Sequence, residues 1–169
     1  MHRPVIHSLR NLAHAGLAAL LMCTFEAHGD VFADGDRVMV QVGPYVYHRV
    51  HDAEHNNVPW LIGAEWESES RWEFGASFFR NSFYQPSTYI YGGKRWFLRS
   101  RDDGFYFKLT AGPLYGYKDP YEDKIPLNYR GVGLAIIPGI GYQHERASVQ
   151  LVILGTAGVM LTFGYDFWK

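Results

Sequence analysis

Apolar and polar side chains alternate along most of the chain after residue 36. A period of two is typical of β-strands, because successive side chains of a strand point to opposite faces of a sheet. No later segment reaches the run of about eighteen apolar residues that a membrane-spanning helix needs. If this chain crosses a membrane, it must therefore cross it as a closed barrel of strands, since lipid offers no hydrogen-bond partner to an open sheet edge.

Eight segments carry this alternation. We predict strands at 37–49, 58–67, 71–80, 88–98, 105–116, 130–143, 147–155 and 159–168. Short polar connections alternate with longer ones, apart from a short last connection, and outer-membrane barrels have short periplasmic turns and long external loops. The sequence therefore predicts an all-β fold, an eight-stranded antiparallel transmembrane β-barrel of the bacterial outer membrane.

The beginning of the chain has the features of an export signal. Residues 1–29 combine two arginines, a short apolar run and small residues that a signal peptidase can recognise. The apolar run is too short to cross a bilayer as a helix. We predict a cleaved signal peptide over 1–29 and the outer-membrane barrel over 30–169, with cleavage after Gly29 or, alternatively, after Ala33.

Composition excludes several classes of function. The single cysteine, Cys23, lies inside the predicted signal peptide, so we expect no disulfide and no thiol chemistry in the exported chain. Sixteen basic and 17 acidic residues nearly balance, which gives no indication of nucleic-acid binding. His48, His51 and His55 are close in sequence, but they straddle a strand end and a loop without zinc-site spacing. We therefore predict no metal and no cofactor.

The alternation also assigns the two faces of the predicted barrel. One face is branched and aromatic and is predicted to contact lipid, with aromatic girdles near the strand ends. The other face, near the predicted periplasmic end, carries charged and amide side chains that can form a salt-bridged plug: Glu65, Glu67, Arg71, Glu73, Lys108, Gln143, Gln150 and Asp166. Toward the external end the same face is small and apolar, with Leu61, Gly63, Gly112, Leu114, Gly133, Ala135, Val152 and Leu154.

Two interpretations of this small, apolar half are open. An eight-stranded barrel is wide enough only to fill itself with side chains or to hold one slender ligand. The space is either a narrow pocket for a hydrocarbon chain, or it is filled by Tyr45, Tyr47 and Phe79, with the glycines serving barrel curvature.

A histidine and a serine are predicted to meet at the external mouth. His48 ends the first strand, and Asn81 and Ser82 begin the loop after the third. Imidazole could take the proton from an attacking hydroxyl, while a neighbouring polar group holds the oxyanion of an acyl transfer. The same residue types are also common at strand ends and turns that perform no chemistry.

Three prolines fall within or at the start of predicted strands, namely Pro44, Pro59 and Pro138. Proline donates no backbone hydrogen bond, so it weakens pairing with the neighbouring strand. Each proline could open a gap through which a lipid enters sideways, or could mark a bulge that only bends the strand.

Four short segments, in chain order, resemble the lipid A palmitoyltransferase (PagP) family. Phe-Arg-Asn-Ser-Phe at 79–83 is similar to the family's Phe-Lys-Asp-Ser-Phe. Pro44 followed by Tyr-His-Arg at 47–49 resembles its first strand, which carries a proline and then the essential histidine. Asn-Val-Pro-Trp at 57–60 and Ile-Pro-Gly-Ile-Gly-Tyr at 137–142 resemble its second and sixth strands.

The resemblance implies an enzyme that moves a palmitoyl chain from a phospholipid donor to lipid A, with its active site facing the cell exterior. By position, His48 and Ser82 would be catalytic, and Asn81 would stand where the family has an aspartate. Asn81 lacks that negative charge, so it could orient His48 or donate to the oxyanion only. Pro44, Pro59 and Pro138 would match the family's lateral openings.

The resemblance also implies that Gly92 or Gly93 lies near the floor of the acyl pocket, so that a larger side chain there would shorten the accepted chain.

We expect an integral membrane monomer that binds no nucleic acid. The alternative is a non-catalytic structural or adhesion-type barrel, which predicts a packed interior. A lipid A deacylase would need a His and a Ser paired on one strand facing lipid, and no His-x-Ser occurs outside the signal peptide.

Overall fold

The computed structural model of the chain describes residues 32–50 and 55–169, so the predicted signal peptide over 1–29 lies outside the described residues. Residues 34–169 form one compact unit. Its strands are β1 (Arg37–His48), β2 (Leu61–Glu67), β3 (Trp72–Arg80), β4 (Pro86–Phe97), β5 (Asp103–Tyr115), β6 (Val132–His144), β7 (Ala147–Ile153) and β8 (Gly158–Trp168). A single 3-10 turn, Glu122–Lys124, lies between β5 and β6 in this part of the chain.

Every strand pairs antiparallel with its neighbours in sequence, and β8 pairs with β1 to close the barrel. The predicted fold is therefore confirmed as a closed eight-stranded antiparallel barrel. Within residues 32–50 and 55–169, no helix has both the length and the apolar character needed to span a membrane.

The predicted strand boundaries hold to within about three residues, and β2 shows why they shift. The strand was expected from residue 58 but begins at Leu61. Pro59 has no N–H to donate, and Trp60 has a positive φ of 48°, which is incompatible with a strand. The missing N–H of Pro59 and the positive φ of Trp60 together delay the start of pairing until Leu61.

The outward face of the barrel is apolar, as the alternation predicts. The exposed side chains of its strands include Ile62, Phe74, Phe105, Ile136 and Phe163. Aromatic residues are concentrated near both ends of the barrel, with Tyr45 and Trp60 at one end and Trp72 and Trp168 at the other. This distribution is typical of side chains that sit at the two interfaces of a bilayer.

Charged side chains close the interior at the end of the barrel where β1 begins, which we call the closed end. Arg95 pairs there with Glu65, Glu67 and Glu73, at 3.0 Å to the Glu67 carboxylate, and Lys108 pairs with Glu65 and Glu73. The predicted plug is thus present as ion pairs. Its principal cation, Arg95, was missing from the sequence-based set.

Arg71 contributes less to this plug than its sequence position suggests. It occupies the turn before β3 with a φ of 72°. Its guanidinium is half-buried and lies 3.8 Å from the Glu67 carboxylate. The turn places Arg71 at the edge of the ion-pair layer rather than within it.

A layer of tyrosines lies directly above the ion pairs. The rings of Tyr89 and Tyr91 stack at 4.8 Å. The Tyr91 hydroxyl donates to Glu65 at 2.8 Å and accepts from Gln41 at 2.7 Å. The Tyr91 hydroxyl bonds to polar groups below the layer, while the rings of both tyrosines face the space above it. The layer therefore separates the charged half of the interior from the apolar half.

Candidate active site

A cavity of about 1100 Å³ occupies the apolar half of the barrel and reaches the end where β1 finishes, which we call the open end. Such a volume matches the pockets that bind small molecules. Its wall includes the buried Val46, Leu61, Leu114, Ala135 and Met160. Its floor is formed by the tyrosine layer with Gln41, Ser77, Thr110, Gln150 and Thr162.

The cavity decides between the two interpretations of this half of the interior. Tyr45 and Tyr47 are 47% and 52% exposed and point out of the barrel, because a bulge at Gly43–Pro44 shifts the register of β1 against β8. Phe79 alone of the three proposed fillers packs inside. The interpretation in which Tyr45, Tyr47 and Phe79 together fill the interior is therefore excluded.

His48 and Ser82 are hydrogen-bonded at the open end. The His48 Nε2 atom lies 2.8 Å from the Ser82 Oγ atom. His48 is buried at the end of β1, and Ser82 is half-buried in the loop after β3. Both residues line the cavity, so the pair borders the apolar space inside the barrel.

Asn57, a residue that the sequence analysis did not select, completes the arrangement. Its Oδ1 atom lies 2.8 Å from the His48 Nδ1 atom. The imidazole therefore has a hydrogen-bond partner on each ring nitrogen. The sequence did hold a signal, because Asn57 begins the segment at 57–60 that resembles the family's second strand.

Asn81 does not take the role of orienting His48. Its Oδ1 atom accepts hydrogen bonds from the backbone N–H groups of Phe83 and Gln85, at 2.9 and 3.1 Å, and its Nδ2 atom donates weakly to Gly116. This Asx-type pattern uses the side chain to shape the loop that carries Ser82. Of the two roles expected of Asn81, orienting His48 is wrong, because Asn57 occupies that place, and donation to an oxyanion stays a prediction.

Two aromatic side chains border the pair. The ring of His55 stacks on His48, with 4.8 Å between their centroids, and its other neighbour is the edge of Phe83. Tyr117 interacts with Ser82 from the β5–β6 loop, and burial raises its pKa to about 12. The Tyr117 hydroxyl is therefore protonated at neutral pH and can donate a hydrogen bond near the reacting atoms.

The three prolines lie at breaks in strand pairing. Pairing of β1 with β2 ends at Gly43 and Leu61, just before Pro44 and just after Pro59. Pairing of β6 with β7 ends at Gly139, next to Pro138. At Pro44 the bulge and the loss of pairing, given above as alternatives, occur together: β1 bulges against β8, and its pairing with β2 ends there.

The break beside Pro138 is continuous with the cavity. Leu134 and Ile136 are 43% and 65% exposed on the outward side of β6, yet both also line the cavity. Ile153, at the end of β7, lines it as well. Side chains can border both spaces only where the wall is open, so the interior communicates with the outer surface between β6 and β7.

Gly92 and Gly93 do not form the cavity floor, contrary to the expectation. Neither lines the cavity. Gly92 faces outward, where a Cβ atom would meet the ring of Phe74 at 3.2 Å. Gly93 pairs with Thr110 and Glu73, and a Cβ atom there would meet atoms of Leu109 and Thr110 rather than the cavity. The floor position belongs to Ser77, Tyr89 and Tyr91 instead.

Metal binding finds no support among the residues that the structure describes, where no group of His, Cys, Asp and Glu side chains is arranged to hold an ion. His51 lies outside those residues.

No model of a known protein family matches the chain, and no curated protein matches it. The fold and the site therefore define the class by themselves, as a closed antiparallel barrel with a laterally open apolar cavity and a Ser–His–Asn constellation at its rim.

Proposed function

We propose that this protein is an outer-membrane acyltransferase that moves a palmitoyl chain from a glycerophospholipid to lipid A. One observation carries the proposal, namely the hydrogen-bonded His48 and Ser82 at the rim of an apolar cavity. A cavity without the pair would indicate lipid binding alone, and the pair without a cavity would have no hydrophobic substrate to act on.

The donor would enter between β6 and β7, where the cavity meets the outer surface. Its acyl chain would extend down to the tyrosine layer, because burial of apolar chain against Leu61, Leu114 and Met160 removes hydrocarbon from water. The ester carbonyl would then lie at the rim, within reach of Ser82. The lateral opening lets a lipid bind without leaving the membrane.

His48 would act as general base and then as general acid. In one route, Ser82 loses its proton to Nε2 as its Oγ atom attacks the ester, and the lysophospholipid leaves with that proton. A lipid A hydroxyl then attacks the acyl-serine and returns a proton to Ser82 through His48. In the other route, the lipid A hydroxyl attacks the donor ester directly, His48 relays its proton to the leaving lysophospholipid, and Ser82 orients the imidazole.

The apolar outward face with aromatic residues at both ends supports insertion in a bilayer. The longest described connection, between β5 and β6, lies at the open end, and long loops of bacterial barrels face the exterior. We propose that the active site faces the cell exterior and that the protein acts as a monomer.

Mass spectrometry of lipid A tests the proposal. Lipid A from cells expressing the protein should gain one long acyl chain, and His48→Ala and Ser82→Ala should abolish the gain. His144→Ala and Ser70→Ala, at the closed end, are the matched controls and should leave it intact. Loss of an acyl chain would indicate a deacylase instead, and unchanged lipid A with a correctly folded barrel would favour a non-catalytic structural barrel. An adduct of palmitoyl mass on Ser82 would select the acyl-serine route.

A further inference from the structure

We infer that Asn57 is the positioning residue that fixes the protonation of His48, holding the proton on Nδ1 so that Nε2 is free to receive the proton of Ser82. The inference rests on the proposed acyl transfer for its consequence, but its physical content concerns the free protein. It assigns to a neutral amide the place that a carboxylate takes in Ser–His–Asp sites.

The two hydrogen bonds of the imidazole carry the argument. A neutral histidine has one N–H and one lone pair, and the partner of one nitrogen decides the state of the other. The amide oxygen of Asn57, 2.8 Å from Nδ1, can only accept, so Nδ1 must hold the proton. Nε2 then faces the Ser82 Oγ atom with its lone pair, also at 2.8 Å.

The opposite orientation of the amide would give an inactive site. An NH₂ group facing Nδ1 would donate to it and move the proton of the ring to Nε2. Ser82 could then only accept a hydrogen bond from His48 and could not transfer its proton. The orientation of one side-chain amide therefore separates a competent base from an incompetent one.

The backbone of this segment holds Asn57 rigidly against β1. The Asn57 carbonyl accepts a hydrogen bond from the backbone N–H of Val46 at 2.9 Å, two residues before His48. The imidazole and its partner are thus fixed to the same stretch of strand. His55 covers a face of the ring, which limits rotation of the imidazole away from the amide.

The neighbouring residue ties the same segment to Ser82. The Asn56 backbone N–H donates to the Ser82 carbonyl at 2.9 Å, and the buried Asn56 side chain donates to the Asn81 carbonyl at 3.2 Å. Residues 55–57 therefore contact both members of the catalytic pair. Since β1 and β3 are not adjacent, this segment is the physical link that sets the distance between imidazole and hydroxyl.

Nitrogen NMR of the protein with ¹⁵N-labelled histidine, folded in detergent micelles, tests the inference without any activity. The spectrum of His48→Ala assigns the His48 signals. At a pH where His48 is neutral, we expect the Nδ1-protonated tautomer in the wild type, a mixture of tautomers in Asn57→Ala, and the Nδ1-protonated form again in Asn57→Asp. Thr156→Ala, an exposed residue at the open end, is the control and should match the wild type.

Kinetics supply the second measurement. Asn57→Ala should lower kcat by about 10- to 100-fold, a part of what a positioned base contributes, with KM unchanged, and Asn57→Asp should restore most of it. An Nε2-protonated His48 in the wild type would overturn the inference. A spectrum of Asn57→Ala identical to that of the wild type would overturn it as well. Absence of acyl transfer by the wild type would overturn the proposed function instead and leave the tautomer result standing.

Discussion

Gly139 and Val152 are the last paired residues of β6 and β7, and above them β6 continues to Val132 without a partner in β7. The cavity meets the outer surface in this gap. We expect that closing the gap blocks entry of the donor. Pro138→Cys combined with Ile153→Cys, bridged by a cleavable bifunctional thiol reagent, should abolish acyl transfer, and cleavage of the bridge should restore it.

The matched control for that bridge is Tyr142→Cys combined with Val149→Cys, a paired position of the same two strands nearer the closed end. Because pairing already closes the wall there, its bridge should leave the rate unchanged. Full activity with a bridged gap, verified by intact mass, would rule out entry between β6 and β7.

The cavity floor should set the length of the transferred chain. Ser77 is buried at the level of the tyrosine layer and lines the cavity, so Ser77→Met would extend into the space proposed for the end of the acyl chain. We expect a shift to shorter acyl chains in the mass spectrum of the modified lipid A. Gly92→Ala, on the outward face of the barrel, should leave the length of the transferred chain unchanged. A shorter chain with Gly92→Ala but not with Ser77→Met would show that Ser77 does not form the floor.

Removal of the central cation from the ion-pair layer should strongly destabilise the barrel. Arg95→Met would remove the cation that Glu65, Glu67 and Glu73 share. Lys108 and Arg101 would remain as partners, but the layer would hold an excess of buried negative charge, and loss of one partner from a buried ion pair costs about 3–5 kcal/mol. Unfolding in urea, followed by the mobility shift of folded barrels in gels, measures the change. Lys94→Met, an adjacent cation whose ammonium lies over Trp72, is the control and should cost little. Equal stability of both variants would contradict this account of the layer.

Stability at the closed end should depend on pH through Asp102, in the turn between β4 and β5. Hydrogen bonding from Lys169, with the charge of Arg37, holds the pKa of Asp102 below its ordinary 3.8. A carboxyl whose pKa is lowered on folding stabilises the fold above its unfolded pKa, and this contribution is lost as pH falls through the folded value. The Tm difference between the wild type and Asp102→Asn should therefore be present at pH 7, begin to decline near pH 3.8, and vanish only below the lowered pKa of Asp102 in the folded protein.

Asp123→Asn serves as the comparison for Asp102, since Asp123 forms an exposed pair with its sequence neighbour Lys124. Exposed pairs of this kind contribute little to stability. We expect no pH-dependent Tm difference for Asp123→Asn. A difference as large as that of Asp102→Asn would attribute the effect to net charge rather than to the contacts of Asp102.

The alternation of side chains was sufficient to predict the barrel, because a period of two is a local property that most of the strands keep over most of their length. The ion-pair layer was predicted only in part. Arg95 was missed because Gly92 and Gly93 interrupt the apolar pattern of β4, so the sequence did not show which face Arg95 occupies. Its position is fixed by pairing with β5, where Arg95 lies opposite Lys108.

The site shows the same division between local and long-range information. His48 and Ser82 were predicted to meet from their places at the ends of the first and third strands, and short segments around them also resemble a known family. Asn57 was missed because an asparagine in a connection between strands is typical of a turn, and its contact with His48 depends on how the β1–β2 connection folds back. Asn81 was over-interpreted because its loop-shaping hydrogen bonds cannot be inferred from its place in a motif.

His48 lies opposite Gly158, at the seam where the first strand meets the last. The strand that carries the imidazole is therefore held by the β1–β8 pairing that closes the barrel. A chain whose barrel is still open contains His48 and Ser82 but lacks this support for their alignment. For the acyl transfer proposed above, completion of the barrel would then be a condition for activity.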